Sequence, residues 1–323
     1  MSRYVMGIDV GGTNLRCAVI DGSNDIVDRQ SVRSHADQGM DVLLSNLLSL
    51  INDVRKSHDL SAVGIGIPGI IDSSSGVVTA APNIANVKDY PLRRVLSDRL
   101  GGGVEIVIEN DANAIAVGEW WKGAGKSVDS LVLLAIGTGL GGGIILGGEL
   151  WNGADGMAGE IGHTTVYPDG VLCNCGNYGC LETCASSVAI RRMVSDGLKD
   201  ENIVTSLRGL TTQAHKEEIP YIAMKAAEGG DKFALAIWVS MGRALGIAVA
   251  SLVNMLNMEM VVIGGGVSNA WDLFIDSLKT EARKRAFPAP MSRLEIKKII
   301  LGDDAGILGT AYLARKKLNE LKS

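Results

Sequence analysis

Short apolar runs alternate with stretches of helical periodicity along the chain, and this alternation predicts an α/β fold. Two apolar runs, Tyr4 to Asp9 and Leu15 to Ile20, flank a glycine turn at residues 11–14, which predicts a hairpin. The same pattern returns where Leu131 to Ile136 and Gly143 to Leu146 flank a second glycine turn. Two halves that each carry such a hairpin predict two α/β lobes with a cleft between them.

Further helices and strands are predicted from the same periodicities. The predicted helices are Asp41 to Lys56, Ala112 to Trp121, Phe233 to Leu256 and Ala305 to Lys317. The predicted strands are Ala62 to Ile67, Val104 to Ile108, Met260 to Ile263 and Leu294 to Leu301. A third glycine turn follows the strand that begins at Met260.

The composition is that of an ordinary globular protein, since 46% of the 323 residues are hydrophobic and 21% are charged. A net charge of −5 without a basic run argues against a nucleic-acid surface, which needs clustered Lys and Arg. The longest apolar candidate, Ala244 to Leu256, is too short to span a bilayer and predicts a buried helix, and no signal peptide is recognisable. We therefore expect a cytoplasmic protein without nucleic-acid or membrane partners, whose five cysteines form no stable disulfide.

The glycine-rich segments allow two interpretations. Residues 137–142 and 64–69 both satisfy GxGxxG, but a dinucleotide site needs a helix next, and here a strand and Pro68 intervene. The preferred interpretation is a phosphate clamp, in which consecutive backbone N–H groups of hairpin turns face an anion and a carboxylate serves Mg²⁺. Any single turn could still be an ordinary hairpin turn. The candidate nucleotide-binding residues are Asp9, Gly11, Gly12, Thr13, Asn14, Gly137, Thr138, Gly139, Gly264, Gly265 and Gly266.

A cluster of cysteines and one histidine is the most specific chemical signal. Cys173, Cys175 and Cys180 fall within eight residues, and His163 lies ten residues upstream of the first. This Cys₃His set is a standard tetrahedral Zn²⁺ combination, and four protein ligands leave no open position, which predicts a structural ion. Disulfides are the competing interpretation, and an odd number of cysteines in a cytoplasmic protein fits them poorly.

Two carboxylates flank this cluster. Glu160 precedes His163 by three residues, and Glu182 follows Cys180 by two. Fixed by the zinc loop, they would suit the vicinal hydroxyls of a sugar, and His163 would bind zinc with one ring nitrogen and donate with the other. The alternative for each glutamate is a solvated surface charge.

Taken in order, these motifs resemble the ROK sugar kinases, especially the bacterial ATP-dependent glucokinases. They are DVGGTN at 9–14, GIPGIID at 66–72, APN at 81–83, ENDAN at 109–113, GTGLGGG at 137–143, GEIGH at 159–163, CNCGNYGCLE at 173–182 and VVIGGG at 261–266. The resemblance implies an actin-like ATPase (ribonuclease H-like) α/β fold of two lobes with a central cleft, often as a homodimer. It further implies that residues 1–118 and the final helix, 304–323, form the first lobe, and that residues 119–303 form the second with the zinc-binding loop.

The resemblance also implies the reaction and its residues. ATP, with Mg²⁺, would phosphorylate a hexose hydroxyl, most simply converting glucose to glucose 6-phosphate, and Asp111 would be the general base. The residues implied to contact the sugar are Gly69, Asn83, Asn110, Asp111, Glu160, His163 and Glu182, and those implied to bind zinc are His163, Cys173, Cys175 and Cys180. From residue chemistry alone, a helix N-cap is an equal interpretation of Asp111.

Two departures from the family pattern leave alternatives open. Asn14 stands where many members have lysine, and residues 84–87 replace a common aromatic-containing segment beside the implied sugar site. Mannose, fructose, allose or an N-acetylated amino sugar therefore stay alternatives to glucose, and polyphosphate stays an alternative to ATP. A sugar-sensing repressor would need a DNA-binding motif ahead of Tyr4, where three residues are present. A chaperone-like ATPase is disfavoured by the zinc cluster and its glutamates.

Overall fold

The computed structural model describes residues 4–81, 84–85 and 87–321. Its strands are β1 (Tyr4–Val10), β2 (Asn14–Ile20), β3 (Ile26–Arg33), β4 (Leu60–Ile67), β5 (Ile70–Asp72), β6 (Val77–Ala80), β7 (Glu105–Asn110), β8 (Leu131–Ile136), β9 (Leu140–Leu146), β10 (Glu149–Leu150), β11 (Met260–Gly264) and β12 (Glu295–Lys298). Its α-helices are α1 (Met40–Arg55), α2 (Leu92–Leu100), α3 (Asp111–Trp121), α4 (Ser187–Gly197), α5 (Leu207–Leu210), α6 (Ile219–Glu228), α7 (Lys232–Leu256), α8 (Trp271–Arg285), α9 (Pro288–Arg293) and α10 (Asp304–Glu320). Short 3₁₀ helices cover Ala36–Gln38, Ile161–His163, Leu181–Thr183 and Gly266–Ala270.

The chain divides into two compact units. The first contains residues 1–129, 143–159 and 299–323, and the second contains residues 130–142 and 160–298. This division differs from the predicted boundary at residue 118, because α3 continues to Trp121 and packs on α10 within the first unit. Residues 143–159 also join the first unit, where Gly143 lies directly against Ala116 of α3.

A five-stranded sheet in the order β3-β2-β1-β4-β7 forms the centre of the first unit. The hairpin predicted from the first two apolar runs is β1–β2, while β1, β4 and β7 run parallel. Along β1 the side chains alternate between two cores: Met6 and Ile8 pack with α1 and α2, and Val5 packs with α10. The parallel strands therefore end together at one edge, covered on both faces by helices.

Helix α10 lies so close to the sheet that only glycine fits beneath it. A Cβ atom at Gly7 would lie 2.0 Å from the carbonyl oxygen of Ile307, and one at Gly64 would lie 2.0 Å from that of Thr310. Gly309 makes the matching close contact with α3. This packing holds the C-terminal helix on β1 and β4 of the first unit.

In the second unit, β8, β11 and β12 are parallel, and β9 follows β8 as the second predicted hairpin. Strand β9 begins at Leu140, three residues before the predicted start, and β12 ends at Lys298, three residues before the predicted end. Helix α7 is long and apolar enough to cross a membrane by length and composition, but 61% of its apolar window is buried inside the protein. It packs along α8, so the prediction of a buried helix is confirmed.

Candidate active site

The candidate site of the first unit lies where its parallel strands end. Strand β1 ends one residue after Asp9, β4 ends two residues before Gly69, and β7 ends at Asn110, with Asp111 as the first residue of α3. The carboxyl ends of parallel strands are where open α/β sheets bind ligands. The structure thus places these four candidates at one edge of the sheet, whereas Asn83 lies outside the described residues.

Asn110 caps α3. Its Oδ1 accepts hydrogen bonds from the backbone N–H groups of Ala112 at 2.9 Å and Asn113 at 3.1 Å, and its Nδ2 donates to the Gly69 carbonyl at 2.9 Å. The N-cap is therefore Asn110, so the N-cap interpretation of Asp111 is wrong. Asp111 occupies the first helical position, where its Oδ1 accepts the Ala112 N–H at 2.9 Å.

Asp9 is a partly buried carboxylate among other charges. Burial, followed by the negative charge of Asp111, raises the pKa of Asp9 to about 6, while Arg16 acts in the opposite direction. Arg16 also forms a 3.0 Å ion pair with Asp303. Carboxylate oxygens are the protein ligands that Mg²⁺ prefers, and a cation would remove the repulsion that raises this pKa. The end of β1 is therefore suited to a divalent cation.

The first glycine turn is fixed through its carbonyl groups. The Gly11 N–H donates to the Asn14 carbonyl at 2.9 Å, which closes the β1–β2 hairpin. Ser34 supports the outer part of the turn, because its N–H donates to the Thr13 carbonyl at 2.9 Å and its Oγ to the Gly12 carbonyl at 3.0 Å. Gly12 and Thr13 are exposed, so a ligand has access to the tip of this turn.

The second and third glycine turns lie side by side in the second unit. Strands β8 and β11 are parallel neighbours that pair Ala135 with Gly264, so Gly137 and Gly265 follow adjacent strand ends. Gly265 has φ +81°, and a Cβ there would lie 2.3 Å from the Ile136 carbonyl oxygen. Only glycine fits this position, which lets two backbone segments approach each other closely.

Glu182 and Glu160 have different environments. Glu182 is half-buried, and its Oε2 accepts the Leu140 N–H at 2.8 Å, so this carboxylate is fixed on the second glycine turn. Glu160 has a side chain that is 49% exposed, and its Oε2 lies 4.0 Å from Nε2 of His163. The solvated-charge interpretation is thus wrong for Glu182, while Glu160 keeps an exposed carboxylate next to the imidazole.

The four candidate metal ligands converge. The ligand atoms of His163, Cys173, Cys175 and Cys180 all lie within 4.8 Å of one another. The Sγ of Cys173 is 3.7 Å from Nδ1 of His163, and the Sγ atoms of Cys175 and Cys180 are 3.6 Å apart. Zn–S bonds of about 2.3 Å in a tetrahedron separate the sulfur atoms by about 3.8 Å, so the spacing fits zinc.

The orientation of His163 also fits a bound cation. Burial and the neighbouring Cys175 and Cys173 raise the pKa of the Cys180 thiol, so a cation that binds there has to displace its proton. His163 directs Nδ1 toward the sulfur atoms and Nε2 toward Glu160. This orientation agrees with the predicted use of one ring nitrogen for the metal and the other for a hydrogen bond.

Comparison with known proteins identifies the family. The family model described as "ROK family" matches residues 5–317. The chain belongs to the ROK family. A glucokinase of Halalkalibacterium halodurans is 36% identical over 99% of this chain and 97% of the relative, and a xylose repressor of Caldicellulosiruptor bescii is 34% identical over 94% of this chain and 76% of the repressor.

A solved ROK structure agrees with the fold. The ROK family glucokinase from Streptomyces griseus, in complex with glucose and AMPPNP, is 32% identical, with a TM-score of 0.77 over 97% of this chain and 99% of that one. The resemblance inferred from the motifs is thereby confirmed, and so is the actin-like α/β fold of the ROK proteins.

The motifs did not predict two buried glutamates of this ROK protein. Glu109 accepts the Asn110 N–H at 2.9 Å, and Glu119 accepts the N–H groups of Ala124 and Leu301, both at 2.8 Å. Glu119 interrupts an apolar run of the sequence, whereas Glu109 directly follows one. The interruption at Glu119 was the available signal, because a buried charge requires partners and such partners mark structurally important positions.

We expect Asp9→Asn to raise the thermal stability of the ligand-free protein at pH 8. As pH rises, the unfolded chain loses the Asp9 proton near pH 3.8, whereas the folded chain loses it near pH 6. The Asp9 carboxyl therefore lowers the free energy of unfolding progressively between those two pH values, and the full loss of stability persists above pH 6. Asparagine removes the effect. The gain in unfolding temperature should therefore be larger at pH 8 than at pH 5, as measured by differential scanning calorimetry.

Asp53→Asn is the matched control for this measurement. Asp53 lies on the exposed surface of α1 and pairs with Lys56 at 2.7 Å, so its substitution should change the unfolding temperature little at either pH. A lower unfolding temperature of Asp9→Asn at pH 8 would show that Asp9 is stabilising in its charged form.

Proposed function

We propose that this ROK protein transfers the terminal phosphate of ATP to a hexose hydroxyl, with glucose as the first candidate. The observation that carries the proposal is the position of Asp111 at the start of α3, on the sheet edge that also carries Asp9 and Gly69. The name of the Halalkalibacterium relative and the glucose and AMPPNP held by the Streptomyces griseus structure support this pair of substrates.

Asp111 is the proposed general base. Phosphoryl transfer depends mainly on positioning and charge stabilisation, which suits a carboxylate held at a rigid strand–helix corner. Asp111 would orient the attacking hydroxyl and take its proton as the new bond to the γ-phosphorus forms. The bond between that phosphorus and the bridging oxygen breaks at the same time, and ADP leaves.

Asn110 has hydrogen-bonding capacity left for a sugar hydroxyl. Its Nδ2 uses one hydrogen for the Gly69 carbonyl, and a primary amide has a second. Because Oδ1 is committed to the cap of α3, a sugar bound to the remaining hydrogen would be held by a side chain that cannot rotate freely. The other proposed sugar-binding groups are Gly69, Asn83, Glu160, His163 and Glu182.

The proposed nucleotide site consists of the three glycine turns and Asp9. Backbone N–H groups of such turns suit phosphate oxygens, and the exposed tip at Gly12 and Thr13 supports this assignment. Mg²⁺, when bound, would neutralise charge on the β- and γ-phosphates. Asp9 would accept hydrogen bonds from water molecules bound to this Mg²⁺.

Zinc is the proposed structural ion of the His163, Cys173, Cys175 and Cys180 cluster. The spacing of the ligand atoms and the orientation of the His163 ring support it. The ion would fix the peptide segment that carries the proposed sugar-binding residues His163 and Glu182.

A kinase for another hexose is the second candidate, because residues 84–87 depart from the common family segment. A sugar-sensing regulatory role is a further alternative, since the Caldicellulosiruptor bescii relative is named a repressor. Homodimerisation and a cytoplasmic location stay predictions.

Sugar phosphate formation, measured with ATP or with polyphosphate as the donor across glucose, mannose, fructose, allose and N-acetylated amino sugars, tests the proposal. We expect sugar-dependent ADP release from ATP, with the highest kcat/KM for glucose. A higher kcat/KM for another hexose would change the substrate but keep the reaction, whereas the absence of sugar phosphate with either donor would contradict the kinase.

We expect Asp111→Asn to lower kcat by about 10²–10⁴-fold, the usual contribution of general base catalysis, while glucose still binds. The substitution keeps the side-chain oxygen that accepts the Ala112 N–H, so α3 should still begin correctly. Initial rates give kcat, and isothermal titration gives glucose affinity. Asp98→Asn, on the exposed surface of α2, is the control and should leave kcat unchanged. A near-normal kcat of Asp111→Asn would exclude Asp111 as the general base.

We expect one zinc ion per chain in the purified protein, measured by inductively coupled plasma mass spectrometry. Cys175→Ser should lower the zinc content and the unfolding temperature, because it removes one of four ligands. Cys184→Ser should retain the zinc, since Cys184 lies outside the cluster. A fully active preparation without zinc would contradict the structural role.

A further inference from the structure

Three polar side chains close a ring of hydrogen bonds beside the proposed base. Glu109 at the end of β7 is 3% exposed, and Asn113 in the first turn of α3 is 2% exposed. The Nδ2 of Asn113 donates to Glu109 Oε1 at 3.0 Å and to Asn152 Oδ1 at 3.4 Å. The Nδ2 of Asn152 donates to Glu109 Oε2 at 3.2 Å.

Two members of this ring, Glu109 and Asn113, hold the junction between β7 and α3, where Asp111 lies. Glu109 Oε1 accepts the Asn110 N–H at 2.9 Å, and the Asn113 N–H donates to Asn110 Oδ1 at 3.1 Å. A buried carboxylate without its donors would be costly, so Glu109 is held in place by the N–H groups around it. The orientation of Asn110 and Asp111 therefore depends on where Glu109 lies.

The third member, Asn152, belongs to a loop that needs such an anchor. Residues 151–159 connect β10 to Glu160 and include Gly153, Gly156 and Gly159, all with positive φ. Glycine-rich backbone loses much conformational entropy when it is ordered. Asn152 supplies two fixed points, because its side chain binds Glu109 and its carbonyl accepts the Ala158 N–H at 3.2 Å.

We propose that Asn152 is a positioning residue for sugar binding. Its amide donates to Glu109 and thereby holds the 151–159 loop against Asn110 and Asp111, where β7 meets α3. This loop leads directly into Glu160. This inference rests on the proposed function, since it concerns the sugar of the same reaction. Asn152 acts through Glu109 and the loop, and the donor direction of its amide is the essential property.

Asn152→Asp tests whether the side chain at position 152 must donate to Glu109. Aspartate keeps the size of asparagine but puts an oxygen where Nδ2 donates to Glu109 Oε2, so two carboxylates would face each other. We expect the KM for glucose to rise about 10–100-fold, the range for losing a hydrogen bond to a charged group, with the KM for ATP within about twofold. Asn152→Ala should raise the KM for glucose as well.

The double variant Glu109→Gln with Asn152→Asp supplies the rescue. Glutamine can keep Oε1 for the Asn110 and Asn113 donors and turn its Nε2 toward the new carboxylate, which reverses the donor and acceptor of the Glu109–Asn152 bond. We expect the KM for glucose to return to within about threefold of wild type, which would be strong non-additivity of two substitutions in contact. Asp155→Asn, on the exposed part of the same loop, is the matched control and should leave KM unchanged.

Hydrogen exchange of residues 151–159 gives a readout that needs no catalysis. Their amides should exchange faster in Asn152→Asp and Asn152→Ala, and at wild-type rates in the double variant. Wild-type glucose KM in Asn152→Asp, or a double variant no better than the single one, would overturn the inference. Absence of kinase activity in the wild type would instead refute the proposed function, while the exchange data would still show whether Asn152 anchors the loop.

Discussion

The parallel pairing of β1, β4 and β7 is the constraint on which the rest of the candidate site depends. In this register Asp9 lies level with Gly66, and Gly66 lies level with Glu109. Side chains alternate between the faces of a sheet, so a slip of β7 by one residue would turn Asn110 away from Gly69. Helix α10 opposes a corresponding slip of β4, because it rests on Gly64 with no space for a Cβ atom.

This register concentrates negative charge at one edge of the sheet, and the protein accommodates each carboxylate differently. Three N–H groups surround Glu109, and Asp111 lies in the first turn of a helix, where the helix dipole favours an anion. Asp9 is partly buried, and its burial together with the negative charge of Asp111 raises its pKa, so its charged form lowers the stability of the fold. Functional sites commonly carry such a local loss of stability, which a bound cation or substrate then offsets.

The sequence pattern predicted the periodic elements well because each of them buries one continuous face. Helices α1 and α7 were predicted within one residue at both ends. Strand β12 is shorter than its apolar pattern indicates, since the N–H groups of Ile300 and Leu301 donate to the buried carboxylate of Glu119 and so leave the sheet. A hydrophobic pattern carries no information about such a partner 182 residues away.

The same reasoning separates the site residues that could be predicted from those that could not. Asp9, Gly69, Asn110 and Asp111 lie in compact motifs, and the parallel register brings them to one edge. Asn152 has no motif of its own to indicate a role, because its importance comes from a contact with Glu109 across 43 positions of sequence.

The second unit joins the metal cluster to a glycine turn through Glu182. Cys180 directly precedes the 3₁₀ helix Leu181–Thr183, in which Glu182 is the middle residue, and Glu182 Oε2 accepts the Leu140 N–H. The surrounding segment exposes Leu172 and Tyr178, so it has little apolar core, and a bound ion would supply the rigidity that burial does not. One carboxylate, assigned to the sugar by the motifs, thus also holds the turn assigned to the nucleotide.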